Sequence, residues 1–357
     1  MRIAMVAPLI ESVPPALYGG TERVVSVLTE ELVRRGHDVT LFASGDSRTR
    51  ADLVPCCPRG LRLDVDAQDT VAYTMVQLGM VYERAGEFDV IHNHADYFAF
   101  PFARLSDTPT ITTTHGRLDL REVQRVYDHF REQNLVSISQ SQRAPLPGVN
   151  WVRTAYNGID MSHFHYNAEG GDYLVFLGRI SPEKRPDRAI EIARDLDMQL
   201  VIAAKVDPAD QAYYDHAIAP MIRDSTRVEF IGEVDEQQKD ELLGNAYAYL
   251  FPIDWPEPFG LTMVEAMATG TPVVAYRAGS VPEVIIDGVT GFICDTFTAM
   301  VDAVPRVASL DRAACRAHVE RRFSAAAMAE SYEDVYTLLA DSSWLNGLQV
   351  VCGQARD

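Results

Sequence analysis

Basic residues are scarce in this chain: 32 Lys and Arg stand against 51 Asp and Glu, a formal net charge of −19 over 357 residues. Self-repulsion of that size opposes binding to nucleic acid or to a generally anionic membrane surface. Cysteine is scarce too. The five cysteines, an odd number that includes the adjacent Cys56 and Cys57, make neither a disulfide framework nor a CxxC metal pair. No apolar run approaches the ~20 residues that cross a bilayer. The opening MRIAMVAPL has none of the basic, apolar and cleavage regions of a signal peptide. These absences predict a cytoplasmic protein without a transmembrane segment.

What is present is a globular composition, 47% hydrophobic and 23% charged. The length suits two domains of roughly 150 to 180 residues. Short apolar runs at Arg2–Ala7, Asp38–Ala43, Asp89–His92, Pro109–Thr114, Leu135–Ser139 and Trp151–Tyr156 alternate with amphipathic stretches. The first of these, TERVVSVLTEELVRRGH, lays Val24, Val25, Val27, Leu28, Leu32 and Val33 on one helical stripe. NGID (Asn157–Asp160) and the polar YNAEGGD (Tyr166–Asp172) read as a linker, after which the alternation restarts with YLVFLG, MQLVIAAK, RVEFIG, YAYLFP and PVVAY. Near-continuous apolar strands between helices predict parallel sheets covered on both faces. The expected architecture is α/β: two Rossmann-like, doubly wound domains facing each other across a cleft. The expected boundaries are 1–165 and 166–323, followed by a C-terminal helix and tail over 324–357 that returns towards the first domain.

Open α/β sheets bind ligands beyond the carboxyl ends of their strands, so chemistry is sought there. After the first strand, Gly19 and Gly20 precede a helix for which Thr21 is a candidate cap, an arrangement that suits an anion or a simple turn. LGRISPEKRPD places Ser181 as a cap and Pro182 at a first helical position, which puts Lys184 in the first turn. Arg179 and Lys184 beside a helix start suit a diphosphate, or form a solvated basic turn. In DWPEPFGLTMVEAMATG, Pro258 and Gly260 keep Glu257 in a loop before the helix. Thr262, Glu265 and Thr269 then share one face of an otherwise apolar helix. A carboxylate there needs donors, either sugar or ribose hydroxyls or a structural partner such as an arginine. His94 and His115 follow strands in IHNHADY and THG, without a third residue at metal-ligand spacing. The Asp-x-Asp runs LDVDA and RDLDM read as chance in so acidic a chain.

Together these motifs resemble the retaining glycosyltransferases of family 4. GGTERVV is similar to the family's glycine loop, GRISPEK to its Arg/Lys diphosphate clamp, and EPFGLTMVE to its E-x7-E signature. NGID followed by Phe164 is similar to the crossover segment, and GSVPEVIIDGVTGF (Gly279–Phe292) to the stretch after the signature. The likeness runs from residue 1 to about residue 340.

The resemblance implies a GT-B fold and a metal-independent transfer of sugar from a UDP-, GDP- or ADP-sugar to an acceptor hydroxyl. It implies that Arg179 and Lys184 hold the diphosphate, with the amide of Gly20, beside Gly19, opposite them. Glu257, with the amides of Phe259, Gly260 and Leu261, would grip the sugar beside Thr262, and Glu265 the ribose. Glu233 and Val234 would border the base, and His115 would touch the sugar near its reacting carbon. Tyr18, His94, Tyr97 and Arg117 are acceptor candidates by position. The acceptor is expected to be a sugar or small hydroxylated molecule, a lipid remaining open. The DWP before the signature departs from a frequent serine. Rival readings are a glycoside hydrolase using Glu257 and Glu265, a nucleotide-sugar epimerase, and a solute-binding module. Free-sugar release, product analysis without acceptor, and sugar binding without nucleotide affinity distinguish them.

Overall fold

The structure is a computed structural model that describes residues 1–17 and 19–353, with residue 63 and residues 341–353 described in backbone only. The chain divides into two compact units. One comprises Met1–Ile138, Arg143–Gly158 and the segment from Ala325; the other comprises Ser139–Gln142 and Ile159–Ser324.

The first unit is built on seven parallel strands: β1 Arg2–Val6, β2 Asp38–Ser44, β3 Asp52–Cys57, β4 Val90–Asn93, β5 Thr110–Thr113, β6 Asn134–Ser137 and β7 Trp151–Thr154. Their order is β3-β2-β1-β4-β5-β6-β7. Met5 at the centre pairs with Leu41 on one side and His92 on the other. Six of these strands match the apolar runs. β3 was not anticipated, because its residues are only partly buried and Pro55 interrupts it. It is an edge strand, where a residue without an N–H is tolerated.

The Gly20–Arg34 helix buries Val24, Val25, Leu28 and Leu32, while Val27 and Val33 stay half-buried at the margin of the stripe. Gly19, not Thr21, occupies the cap position, and Thr21 lies inside the first turn. The C-terminal helix runs Ala325–Gly353, well beyond the ~15 residues that its apolar pattern suggests. It packs on the Gly20–Arg34 helix and on β4, burying Tyr332 and Tyr336.

The second unit has six parallel strands: β8 Tyr173–Arg179, β9 Leu200–Lys205, β10 Val228–Gly232, β11 Ala246–Phe251, β12 Val273–Tyr276 and β13 Gly291–Cys294. Their order, β10-β9-β8-β11-β12-β13, repeats the Rossmann-like pattern of the first sheet. Leu174, Ile190, Leu200, Ile202, Leu250 and Val274 form its core. β13 lies within the segment after the E-x7-E signature, where no strand was expected. Buried Phe292 and Cys294 hold it on the sheet.

A second local expectation, at the LGRISPEKRPD segment, is also overturned. Ser181–Lys184 is a turn, closed by Lys184 N–H donating to Ser181 O at 3.1 Å, and the helix runs Pro186–Asp195. Pro186 takes the first helical position instead of Pro182. A helix begun at Pro182 would have needed an N–H from Pro186, which has none. Arg185, at φ 55°, breaks the chain direction just before it.

Candidate active site

In the second unit, β8 ends at Arg179 and β11 at Phe251, neighbours in the sheet, so the loops that follow them emerge side by side. Backbone and side-chain bonds stitch these loops together. Asp254 N–H donates to Glu183 O at 2.8 Å, while Arg185 and Arg188 reach Asp254 Oδ2 at 3.0 and 3.2 Å. The Asp254 of the unexpected DWP run therefore ties the cationic turn to the signature.

Lys184 is not the solvated cation that its turn suggests. Its ammonium donates to the carboxylate of Glu257 and lies 5.0 Å from the Trp255 ring centroid and 5.6 Å from that of Phe251. Trp255 Nε1 donates to the same oxygen, Oε2, at 3.1 Å. Glu257 is held from behind by Ser280 N–H, which donates to its carbonyl at 2.9 Å. Gly279 backs this contact so closely that a Cβ on it would stand 2.3 Å from both N and O of Glu257. Arg179 sits between Glu183 and Asp207, at 3.5 and 3.6 Å, where the loops after β8 and β9 meet.

The helix Leu261–Ala268 starts after Gly260, whose φ of 77° turns the chain, and no side chain caps its first turn. Glu265 is 2% exposed and does have a charged partner, though not an arginine: Lys239 Nζ donates to its Oε1 at 2.5 Å. Lys239 comes from the Glu236–Gly244 helix and also faces the Phe164 ring at 5.6 Å. Thr262 and Thr269 have local work. Tyr249 donates its phenol hydrogen to Leu177 O and is hydrogen-bonded to Thr262 Oγ1 at 2.7 Å, while Thr269 donates to Ala266 O. Glu233 and Val234, after β10, line an open depression of about 350 Å³ with Tyr173, Ile231, Gln238 and Leu242. None of the other expected donor residues lines it.

In the first unit, β4 and β5 deliver His94 and His115 to one place: Nδ1 of His94 lies 2.8 Å from Nε2 of His115. Burial lowers both pKa values, that of His115 to about 4, so the rings are neutral at pH 7. Asn93 Oδ1 accepts from Ala95 N–H and shapes the turn that holds Asp96 at φ 57°. The Asp96 carboxylate accepts from Tyr127 Oη at 2.5 Å and from Tyr97 N–H at 2.9 Å, and burial raises its pKa. The Tyr97 ring itself meets Tyr127 edge-on at 6.4 Å. Arg117 is spent on Asp119 in a bidentate pair at 2.9 and 2.8 Å. Tyr18 lies outside the described residues.

Around the glycine loop, a Cβ on Gly20 would meet nothing within 4 Å, so its backbone is open to approach. Beneath it the carboxyl of Glu22 is 5% exposed, and burial, followed by the nearby Glu11, pushes its pKa up to about 7. Sequence reasoning missed Asp96, Lys239, Asp254 and the two tyrosines of the C-terminal helix. Only Lys239 carried a signal, as a lysine at a helical position otherwise suited to the core.

Among the described residues, no group of three or more His, Cys, Asp or Glu could hold a metal ion, and no helix is long and apolar enough to cross a membrane.

Comparison with known proteins identifies the family. The family Glycosyltransferase Family 4 matches residues 18–163, and Glycosyl transferases group 1 matches residues 160–321. A glycogen synthase of Mycobacterium tuberculosis is 28% identical over 348 residues, 82% of each chain. A phosphatidyl-myo-inositol mannosyltransferase of Mycolicibacterium smegmatis is 28% identical over 328 residues, 82% of this chain and 80% of its own. Among solved structures, Anabaena HepE in complex with UDP-glucose superposes with a TM-score of 0.73 at 16% identity, covering 95% of this chain and 100% of its own. Two family matches in chain order, on two Rossmann-like units with the GT-B fold, make this chain a glycosyltransferase of family 4, group 1.

Proposed function

We propose that the protein transfers a sugar, with retention of anomeric configuration and without a metal ion, from a nucleotide-diphosphate sugar to an acceptor hydroxyl. The observation that carries this reading is the Lys184–Glu257–Trp255 cluster. A hydrolytic carboxylate pair needs one acid and one free base or nucleophile. Here Glu257 is bonded to the cation assigned to the diphosphate, and Glu265 to a second lysine. On donor binding Lys184 exchanges Glu257 for phosphate oxygens, and Glu257 turns to sugar hydroxyls. Arg179 and Lys184 then neutralise the leaving diphosphate, the work a metal does elsewhere. The uncapped amides at Gly260 and Leu261 face the same donor, Glu265 accepts from ribose, and Glu233 and Val234 border the base. In the first unit, Gly20 and His115 keep the roles that the resemblance implies. The acceptor is a sugar or another small hydroxylated molecule, with a lipid as the alternative, and the compartment is the cytoplasm.

UDP-glucose is the first donor to test, because HepE binds it; GDP- and ADP-sugars follow. Saturating donor should raise the Tm by the mass-action law. Product NMR should then show the donor's own anomeric configuration, and the rate should survive EDTA. An inverted product, loss of rate in EDTA, or turnover in the Lys184→Ala variant equal to wild type would each overturn the corresponding part.

A further inference from the structure

The proposed reaction uses only one of three histidines gathered at the carboxyl ends of β4 and β5. His92 is fully occupied: its Nδ1 lies 2.7 Å from Tyr336 Oη and its Nε2 2.8 Å from Thr113 Oγ1. Thr113 Oγ1 is in turn 3.0 Å from Tyr332 Oη. The C-terminal helix thus locks the His92 ring through two tyrosines. His94 rests against that ring, with centroids 4.1 Å apart, and is 3% exposed. Its Nδ1 meets His115 Nε2, while its own Nε2 is buried without a hydrogen-bond partner. Burial keeps all three rings uncharged.

Two neutral imidazoles joined by one N···N contact hold a single proton between them, so two arrangements exist. If His115 donates from Nε2, His94 must keep its own proton on Nε2, where a buried N–H has no acceptor. If His94 donates from Nδ1, its buried Nε2 carries only a lone pair. Orphaned buried N–H groups are rarer in proteins than under-satisfied acceptors, and the hydrogen bond of one ring nitrogen decides the state of the other.

We propose that His94 is a positioning residue that donates from Nδ1 to His115 Nε2 and so fixes His115 as the Nδ1–H tautomer. His115 then offers its site an N–H instead of a lone pair. It can donate to an oxygen of the substrate and cannot take a proton there. The use of that N–H rests on the proposed transfer; the position of the proton does not.

Nitrogen-15 NMR of the full chain labelled at histidine, at pH 7 and without substrate, reads which ring nitrogen of His115 is protonated. The expected spectrum has Nδ1 protonated and Nε2 bare, with the signals assigned by their loss in His115→Asn. In His94→Phe, which keeps a ring and removes both nitrogens, His115 should move to the Nε2–H form or to an averaged mixture. Turnover should fall about tenfold or more with little change in donor KM, as expected for a wrong tautomer. His94→Asn places an amide N–H near the lost Nδ1 and should restore both the signature and most of the rate.

A wild-type His115 protonated at Nε2, or a His94→Phe protein that keeps the wild-type pattern, overturns the proposal. Should His94→Phe fail to fold, the wild-type and His94→Asn spectra decide alone. A wild-type protein that shows the expected spectrum yet consumes no nucleotide sugar would sink the transfer reaction and leave the proton assignment standing.

Discussion

The two units present their candidate residues in opposite electrostatic states. The second unit is organised by ion pairs: Lys184 with Glu257, Lys239 with Glu265, and Arg185 and Arg188 with Asp254. The first is organised by groups that burial keeps neutral at pH 7, His92, His94 and His115, and by the half-neutral Glu22. On the proposed function, a charged diphosphate would meet charges that can change partner, and the sugar would meet neutral hydrogen-bonding groups. The contrast would suit one repeated topology to two tasks.

Four measurements can break or sharpen this contrast. The largest effect is expected for Lys184→Ala, which on the proposed function removes a cation that stabilises charge as the diphosphate leaves. Its initial rate at saturating donor should fall by on the order of 10²–10³. A comparable loss of binding with an unchanged rate constant would place Lys184 in recognition alone.

Next comes the buried Lys239–Glu265 pair. Lys239→Met strands Glu265, at 2% exposure, without its cation. Urea unfolding should report a loss of about 3–5 kcal/mol, most of it recovered when Glu265→Met is added. A double variant as unstable as the single one would show that the pair is not what stabilises this helix.

The neutral groups predict opposite pH responses of on the order of 1–3 kcal/mol each. His115 has a folded pKa of about 4 against 6.5 unfolded, so the unfolded chain binds its proton first as the pH drops. Stability present above pH 6.5 should be lost on the way down to pH 4. Glu22 has a folded pKa of about 7 against 4.5 unfolded, so its contribution is fullest below pH 4.5 and fades as the pH rises through 7. Glu22→Gln should therefore raise the Tm over wild type at pH 8 and not at pH 4.5. Equal shifts at both pH values would remove Glu22 from the neutral set.

The smallest effect belongs to Asp119→Asn. The Arg117–Asp119 pair is about one third exposed on each side, and such pairs contribute roughly 0–1 kcal/mol. A larger change in acceptor KM than in Tm would bring Arg117 into recognition.

Much of the fold was legible because parallel strands buried on both faces read as plain apolar runs. β3 was not, since an edge strand bearing Pro55 has neither continuous burial nor a full set of donors. The start of the Pro186–Asp195 helix was misplaced because two prolines compete for one role, and only the left-handed Arg185 shows which prevails. In the site, the separation of Glu257 from the helix was readable from Pro258 and Gly260, local breakers that act whatever the fold. The lysine beside Glu265 was not, because it lies 26 positions away and arrives through the packing of one helix on another. The same holds for Tyr332 and Tyr336, which reach His92 from more than 200 positions along the chain.

The contact between Gly279 and the backbone of Glu257 bears on any attempt to redirect this enzyme to another sugar. Even alanine at 279 would drive a methyl group into a peptide unit and push the Glu257 carboxylate out of register. A randomised library should hold that position constant and vary Trp255, whose indole borders the same carboxylate from the other side. Variation there leaves the Glu257 backbone in place, whereas variation at 279 displaces it.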